Sequence, residues 1–159
     1  MKGPVDMTNT NDSVQFEADQ RIVARCRYYV GKIGSLFYET MQREKKILGS
    51  NCRICGKVYW PPRGTCGRCF RLLTESDLVE IGPEGTLDTF TRIDYHEPVH
   101  PRSGPIIYGI IRLDGSDSGI AHMIDEVDYP ELKIGMRMKP VFSDEPIGNI
   151  LHIKYFKPA

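Results

Sequence analysis

The sequence predicts a mainly β protein in which an N-terminal helical arm precedes a rubredoxin-like zinc ribbon and a five-stranded OB-fold barrel. Three observations support this order along the 159 residues: apolar positions at helical spacing come first, two CxxC pairs follow, and five short strand-like stretches occupy the rest. We therefore expect four segments. They are a flexible tail over 1–12, a helical arm over 13–45, a zinc ribbon over 46–75 and the barrel over 76–159.

Composition and charge narrow the functional classes. The chain carries 21 Lys and Arg against 21 Asp and Glu, whereas proteins that bind nucleic acid normally present surplus positive charge. No apolar run approaches the roughly 20 residues that span a bilayer, and the first fifteen residues do not have the pattern of a secretory signal. We expect a cytoplasmic protein without nucleic-acid or membrane partners, whose five cysteines favour metal ligation over disulfides.

The helical arm is predicted from apolar residues at spacings of mostly three and four. These residues are Phe16, Ile22, Val23, Cys26, Val30, Ile33, Phe37 and Met41. Gly31 and Gly34 weaken the middle of the segment, so one long helix and two helices with a bend are equally compatible with it. Cys26 falls on the apolar face, where a free cysteine behaves as a small hydrophobe.

The zinc ribbon is predicted from two CxxC pairs, Cys52 with Cys55 and Cys66 with Cys69. Each pair supplies two thiolates from one tight turn, and four thiolates complete the tetrahedron that Zn²⁺ prefers. Such a site has no open position for water or substrate, so the zinc is expected to be structural. Two redox dithiols are the alternative, but neither pair has the strand-then-helix context of a thioredoxin centre.

The barrel is predicted from five stretches rich in β-branched and aromatic residues and bounded by Gly, Pro, Asp or Asn. Five short strands in about 70 residues suit an OB-fold. The stretches are 86–94, 106–113, 120–127, 136–142 and 150–156.

No catalytic constellation is evident. The turn over 115–119 has Asp117 where a nucleophile elbow would need serine, and no phosphate-binding loop or carboxylate pair is present. Basic residues on the ribbon suit either a phosphate or an acidic partner, or simply a solvated face. The Pro-rich loop over 94–105 carries His96 and His100 and is expected to line a ligand or an interface. The sequence thus favours a binding or accessory module.

With these motifs the chain resembles a known family, the zinc-ribbon plus OB-fold proteins of acyl-CoA metabolism catalogued as domain of unknown function 35. The resemblance covers roughly residues 36–156 and is carried by CxxCG with PPR over 52–63, CxxC over 66–69, the glycine-containing segment over 82–87, and Gly135 with Met136. It implies a protein without catalysis of its own that forms hetero-oligomers with thiolases or similar condensing enzymes, or with acyl-CoA hydratases. One pathway in which such pairs occur is the benzoylsuccinyl-CoA thiolase step of anaerobic toluene breakdown.

The resemblance also directs attention to particular side chains. For a coenzyme A thioester bound at a shared site, the candidates for contacting the phosphates are Arg63, Arg68 and Arg71, because guanidinium groups suit phosphates. The candidates for bordering the acyl end are Tyr95, His96 and Arg102. For the interface with a thiolase-like catalytic subunit, the candidates are Tyr28, Tyr29, Ile33, Phe37 and Tyr38 on the arm. The alternative that the arm covers its own barrel stays open, as does a module that binds single-stranded nucleic acid.

Overall fold

The computed structural model describes residues 26–95, 100 and 102–159. The predicted tail, the first part of the arm and His96 lie outside these residues. Helix α1 spans Gly31–Glu44, so the prediction of helix over 26–30 is wrong. Gly31 has a φ of 72°, a conformation that is not helical and that glycine adopts at little cost. The helix ends where Lys45 turns left-handed and donates its N–H to the Met41 carbonyl.

Helix α1 packs on its own chain. Phe37 and Met41 are one turn apart on one face, and both are buried in the main core. The Tyr38 ring lies 5.0 Å from the Phe37 ring and is partly buried against the same core. The interpretation of Phe37 as an interface residue is therefore wrong, because its side chain already fills an intramolecular contact.

A three-stranded antiparallel sheet follows the helix. Strands β1 (Ile47–Cys52), β2 (Lys57–Tyr59) and β3 (Leu78–Ile81) are ordered β2-β1-β3. The expected domain boundary at residue 76 assigns β3 to the barrel, but β3 pairs with β1, from Ile47 opposite Ile81 to Ser50 opposite Leu78. The ribbon sheet thus includes a strand that follows the second cysteine pair in the sequence.

The five-stranded OB-like barrel is confirmed. Its strands are β4 (Gly85–Ile93), β5 (Ile106–Leu113), β6 (Ile120–Ile124), β7 (Arg137–Phe142) and β8 (Ile153–Pro158). They are ordered β4-β5-β6-β8-β7, and β7 pairs back onto β4. The wall is thinnest between β6 and β8, where one parallel pair, Ile124 with Phe156, joins the strands.

Ribbon and barrel share one hydrophobic core. Trp60, which follows β2, is fully buried in the same cluster as the barrel residues, and its ring meets the edge of Phe156 at 6.4 Å. The turn between β5 and β6 holds this segment in place through Ser118. The backbone N–H of Trp60 donates to the Ser118 hydroxyl at 2.8 Å, and that hydroxyl donates to the backbone carbonyl of Trp60. Asp117 accepts from Lys57 Nζ at 2.6 Å and from the Val58 N–H at 2.9 Å.

Over the residues described, helix α1 included, none of the helices has the length and apolar character needed to cross a bilayer.

Candidate metal centre and partner surface

The four cysteines of the two CxxC pairs converge on one point. Their Sγ atoms all lie within 4.8 Å of one another, with 3.6 Å between Cys52 and Cys69 and 4.0 Å between Cys55 and Cys66. A tetrahedral zinc with Zn–S bonds near 2.3 Å separates its sulfurs by about 3.8 Å. The donor set and its spacing therefore fit a structural Zn²⁺, as the sequence predicts.

Each cysteine pair is folded as a knuckle that ends in a left-handed residue. In the first knuckle Gly56, with a φ of 63°, donates its N–H to the Cys52 carbonyl at 2.7 Å. In the second the same place is held by Phe70, with a φ of 57° and its N–H on the Cys66 carbonyl at 3.1 Å. A left-handed conformation costs a residue with a Cβ about 1–2 kcal/mol, so the second knuckle carries strain that the first avoids.

Two of the four cysteines, Cys55 and Cys66, have strongly shifted pKa values in the absence of a cation. The Tyr59 hydroxyl lies 3.4 Å from Cys66 Sγ and is the main cause that lowers the pKa of Cys66 to about 5, while the same contact raises the pKa of Tyr59 to about 12. The pKa of Cys55 rises to about 12, chiefly through its hydrogen bond with Cys69. A thiolate at one cysteine thus disfavours ionisation of the neighbouring thiols. A bound divalent cation is what allows all four thiols to ionise together.

Asp77, which follows the second knuckle in the sequence, contacts several polar residues of the ribbon. Its carboxylate is buried, accepts the Thr74 N–H at 3.0 Å and an Arg71 guanidinium N–H at 3.3 Å, and lies 3.5 Å from Arg53 Nε. The Thr74 N–H is the main cause that lowers the pKa of Asp77. Arg71 is therefore engaged within the fold rather than presented to a ligand.

The two other ribbon arginines are available to a ligand. The Arg63 guanidinium lies 5.1 Å over the Tyr59 ring, and Arg68 is exposed. Neither is in an ion pair within residues 26–95, 100 and 102–159. This leaves Arg63 and Arg68 as cationic groups on the surface of the zinc ribbon.

The loop candidates lie away from the ribbon. Tyr95 is exposed beyond the end of β4, and Arg102 pairs with Asp125 at 2.5 Å. In the β4–β5 hairpin Gly85 opposes Leu113 at the ribbon end and Ile93 opposes Ile106 at the other, so the nine-residue strand separates the two ends by about 26 Å. The structure does not bring Tyr95 and Arg102 together with the ribbon arginines.

Exposed apolar residues are concentrated on the arm and the ribbon. Among the described residues, six of the nine large hydrophobics that are exposed belong to these two segments: Tyr28, Tyr29, Val30, Ile54, Phe70 and Leu72. We refer to this set as the arm–ribbon surface. Ile33, by contrast, packs partly buried against the cysteine cluster. Sequence reasoning missed Ile54, Phe70 and Leu72, although a knuckle has no interior in which to bury such side chains.

The outer face of the barrel is uncharged at its centre. By register the middle positions of β4, β5 and β6 that face away from the core are Thr89, Thr91, Tyr108, Ile110, Ala121 and Met123. Binding of a single strand needs cations along the backbone and aromatic platforms for the bases. These positions carry one aromatic ring and no cation, although Lys154 of β8 lies beside Tyr108, Ala121 and Met123. The series of aromatic platforms that single-strand binding needs is lacking at these positions.

Comparison with protein families identifies both modules. Residues 43–74 match the family model "ChsH2, rubredoxin-like zinc ribbon domain" and residues 78–143 match "ChsH2, C-terminal OB-fold domain". The chain belongs to the DUF35 family. A DUF35 domain-containing scaffold protein of Methanocaldococcus jannaschii is 28% identical over 116 residues, which cover 70% of this chain and 81% of that protein.

Solved DUF35 structures have the same architecture. A DUF35-family protein of unknown function from Sulfolobus solfataricus aligns with a TM-score of 0.57 at 26% identity, covering 70% of this chain and 78% of that one. A chain from the Ltp2–ChsH2(DUF35) aldolase aligns with a TM-score of 0.58 at 17% identity, covering 83% of this chain and 98% of that one. At that identity the second likeness shows the fold alone.

Proposed function

We propose that this DUF35 protein is a non-catalytic accessory subunit that docks on a thiolase- or aldolase-type enzyme acting on coenzyme A thioesters. The observation that carries the proposal is the arm–ribbon surface, since exposed apolar side chains gathered in two adjoining segments are typical of a protein interface. The scaffold name of the archaeal relative and the aldolase complex of the structural neighbour support it.

The charge of the ribbon supports the same proposal. Residues 46–74 contain six Lys or Arg and no Asp or Glu, although the whole chain is neutral. Such a segment complements an acidic partner surface or the phosphates of coenzyme A. We assign the phosphate contact to Arg63 and Arg68, which are the ribbon arginines that pair with no carboxylate among residues 26–95, 100 and 102–159.

The proposal is tested by affinity purification of the zinc-loaded protein from native extract. A thiolase- or aldolase-like subunit should co-elute in near-stoichiometric amount, and it should be lost when Tyr28 and Tyr29 are both replaced with Ser. Tyr95→Ser is the matched control, because Tyr95 is exposed at the far end of the barrel. A zinc-containing monomer that retains no such subunit would contradict the proposal.

The coenzyme A contact has its own test once the catalytic subunit is in hand. Replacing Arg63 and Arg68 with Ala should raise the KM of the complex for acyl-CoA and leave its kcat nearly unchanged, since phosphates lie far from the reacting carbonyl. Arg43→Ala in the last turn of α1 serves as the control. Benzoylsuccinyl-CoA is among the substrates to assay, and an unchanged KM would remove both arginines from the site.

A further inference from the structure

Tyr59 lies beside the metal centre without being one of its ligands. It is the last residue of β2 and stands opposite Ser50 of β1. Because side chains alternate between the two faces of a strand, Tyr59 and its neighbour Val58 point to opposite sides of the sheet. Val58 packs against the main core, and Tyr59 packs against the cluster that contains Cys52 and Cys66. The strand therefore directs a phenol ring at the cysteines.

In the zinc-bound state the phenol hydroxyl must donate to Cys66. Its oxygen lies 3.4 Å from Cys66 Sγ. A zinc-bound cysteine is a thiolate and has no proton to give, so the hydroxyl is the donor and the sulfur is the acceptor. The backbone N–H of Arg68 donates to the same sulfur, also at 3.4 Å. Cys66 thus receives two donors from residues that are not zinc ligands.

Burial explains why Cys66 needs such donors. A Zn²⁺ ion held by four thiolates has a net negative charge, and burying that charge costs free energy unless hydrogen-bond donors face it. The side chain of Cys66 is fully buried, whereas Cys69 is exposed. Water can therefore solvate the Cys69 sulfur, while at Cys66 the Tyr59 hydroxyl and the Arg68 N–H take the place of water.

The guanidinium group of Arg63 supports the phenol. It lies 5.1 Å over the centre of the Tyr59 ring, and a side chain at Gly67 would begin 3.4 Å from its Nη1 atom. The backbone N–H of Arg63 donates to the buried Ser50 hydroxyl at 2.9 Å, which fixes this residue beside β1. A cation over an aromatic face attracts the electrons of the ring. The phenol O–H is therefore polarised towards a stronger donor.

We propose that Tyr59 is a positioning residue of the metal centre. Its hydroxyl holds the Cys66 thiolate in the zinc-bound geometry, and Arg63 assists by polarising the phenol. This role adds a group outside the four cysteines to those that retain the metal. It is independent of the proposed accessory function, because it requires neither a partner subunit nor coenzyme A.

The first test is the zinc affinity of full-length Tyr59→Phe, measured by competition with a chromogenic chelator. The substitution removes only the hydroxyl and keeps the ring between Arg63 and the cysteines. The affinity should fall about tenfold, as is typical when a residue that supports a metal ligand is changed. Tyr155→Phe is the matched control, because the Tyr155 hydroxyl of β8 bonds to Glu126 instead of a cysteine. Its zinc affinity should equal that of wild type.

Substitution of cobalt for zinc separates the hydrogen bond from a general loss of stability. Co²⁺ bound by thiolates gives a sulfur-to-cobalt charge-transfer band, and a hydrogen bond to sulfur lowers the energy of the sulfur lone pairs. The band of Tyr59→Phe should therefore move to longer wavelength, and that of Arg63→Ala should move less in the same direction. The band of Tyr155→Phe should not move. A purely structural effect of Tyr59→Phe would lower the Tm and leave the band in place.

Three results would overturn the proposal: a Tyr59→Phe protein with the zinc affinity of wild type, a charge-transfer band that Tyr59→Phe does not shift, or an equal loss of zinc affinity in Tyr155→Phe. Thermal unfolding of the metal-loaded proteins verifies that each variant folds. Arg63 is exposed, so Arg63→Ala is expected to fold. Should Tyr59→Phe fail to fold, an unshifted band in Arg63→Ala overturns the proposal.

Discussion

Replacing Trp60 with Ala tests whether ribbon and barrel are energetically one unit. The indole is fully buried in the shared core and contacts Phe156, so its removal both loses apolar burial and leaves a cavity. Truncations of this kind cost about 3–5 kcal/mol. For a chain of this length that corresponds to a fall in Tm of about 6–20 °C.

The assay is thermal unfolding of the zinc-loaded protein followed by far-UV circular dichroism. Wild type should unfold in a single transition, because no separate core exists for the barrel among the described residues. Tyr28→Ala is the control, since Tyr28 is 83% exposed and its loss should change the free energy of unfolding by less than about 0.5 kcal/mol. A Trp60→Ala protein with the Tm of wild type, or a wild type that melts in two steps, would refute the shared core.

Further predictions concern the zinc ligands, the buried Asp77 and the left-handed residue Phe70. Cys52→Ser should abolish stoichiometric zinc, measured by elemental analysis, and unfold the ribbon; full zinc content would contradict the ligand set. Asp77→Asn should lower the urea midpoint at pH 7, because the folded-state pKa of Asp77 is depressed. That stabilisation is complete above the unfolded-state pKa near 4 and is lost as pH falls through the lower folded value, so the difference from wild type should shrink in acid. Phe70→Gly should relieve left-handed strain without lowering the Tm, yet weaken capture of the partner subunit; a fall in Tm would mean that the exposed ring supports the fold.

The parts of the fold that sequence predicted are those set by local chemistry. Four thiolates at CxxC spacing need only two tight turns to meet, so the ligand set was readable without any tertiary information. Strands β4 to β8 were also predicted near their observed bounds, because turn-forming residues lie at their ends. The pairing of β3 with β1 was not predicted, since the two strands are distant in sequence and the residues of β3 do not indicate which strand it pairs with.

The candidate surface was harder to predict, because burial depends on what packs against a side chain. Phe37 and Tyr28 were both candidates for the partner interface, yet one is 2% exposed and the other 83%. The helix begins only at Gly31, so residues before it do not share the packed face. Likewise the thin part of the barrel wall arises because the pairing of β6 with β8 is confined to Ile124 and Phe156, and a pairing that is missing leaves no signature in composition.

The position of β3 has a consequence for the order of folding. Pairing β1 with β3 requires the chain between Ser50 and Leu78 to close on itself, and the entropy of closure grows with the length of that loop. A zinc ion that joins Cys52 to Cys69 shortens the free span to the residues between Cys69 and Leu78, which reduces the closure cost by about 1 kcal/mol. We expect metal capture to precede completion of the sheet, so that refolding of the barrel core is faster with zinc present at the start than with zinc added afterwards.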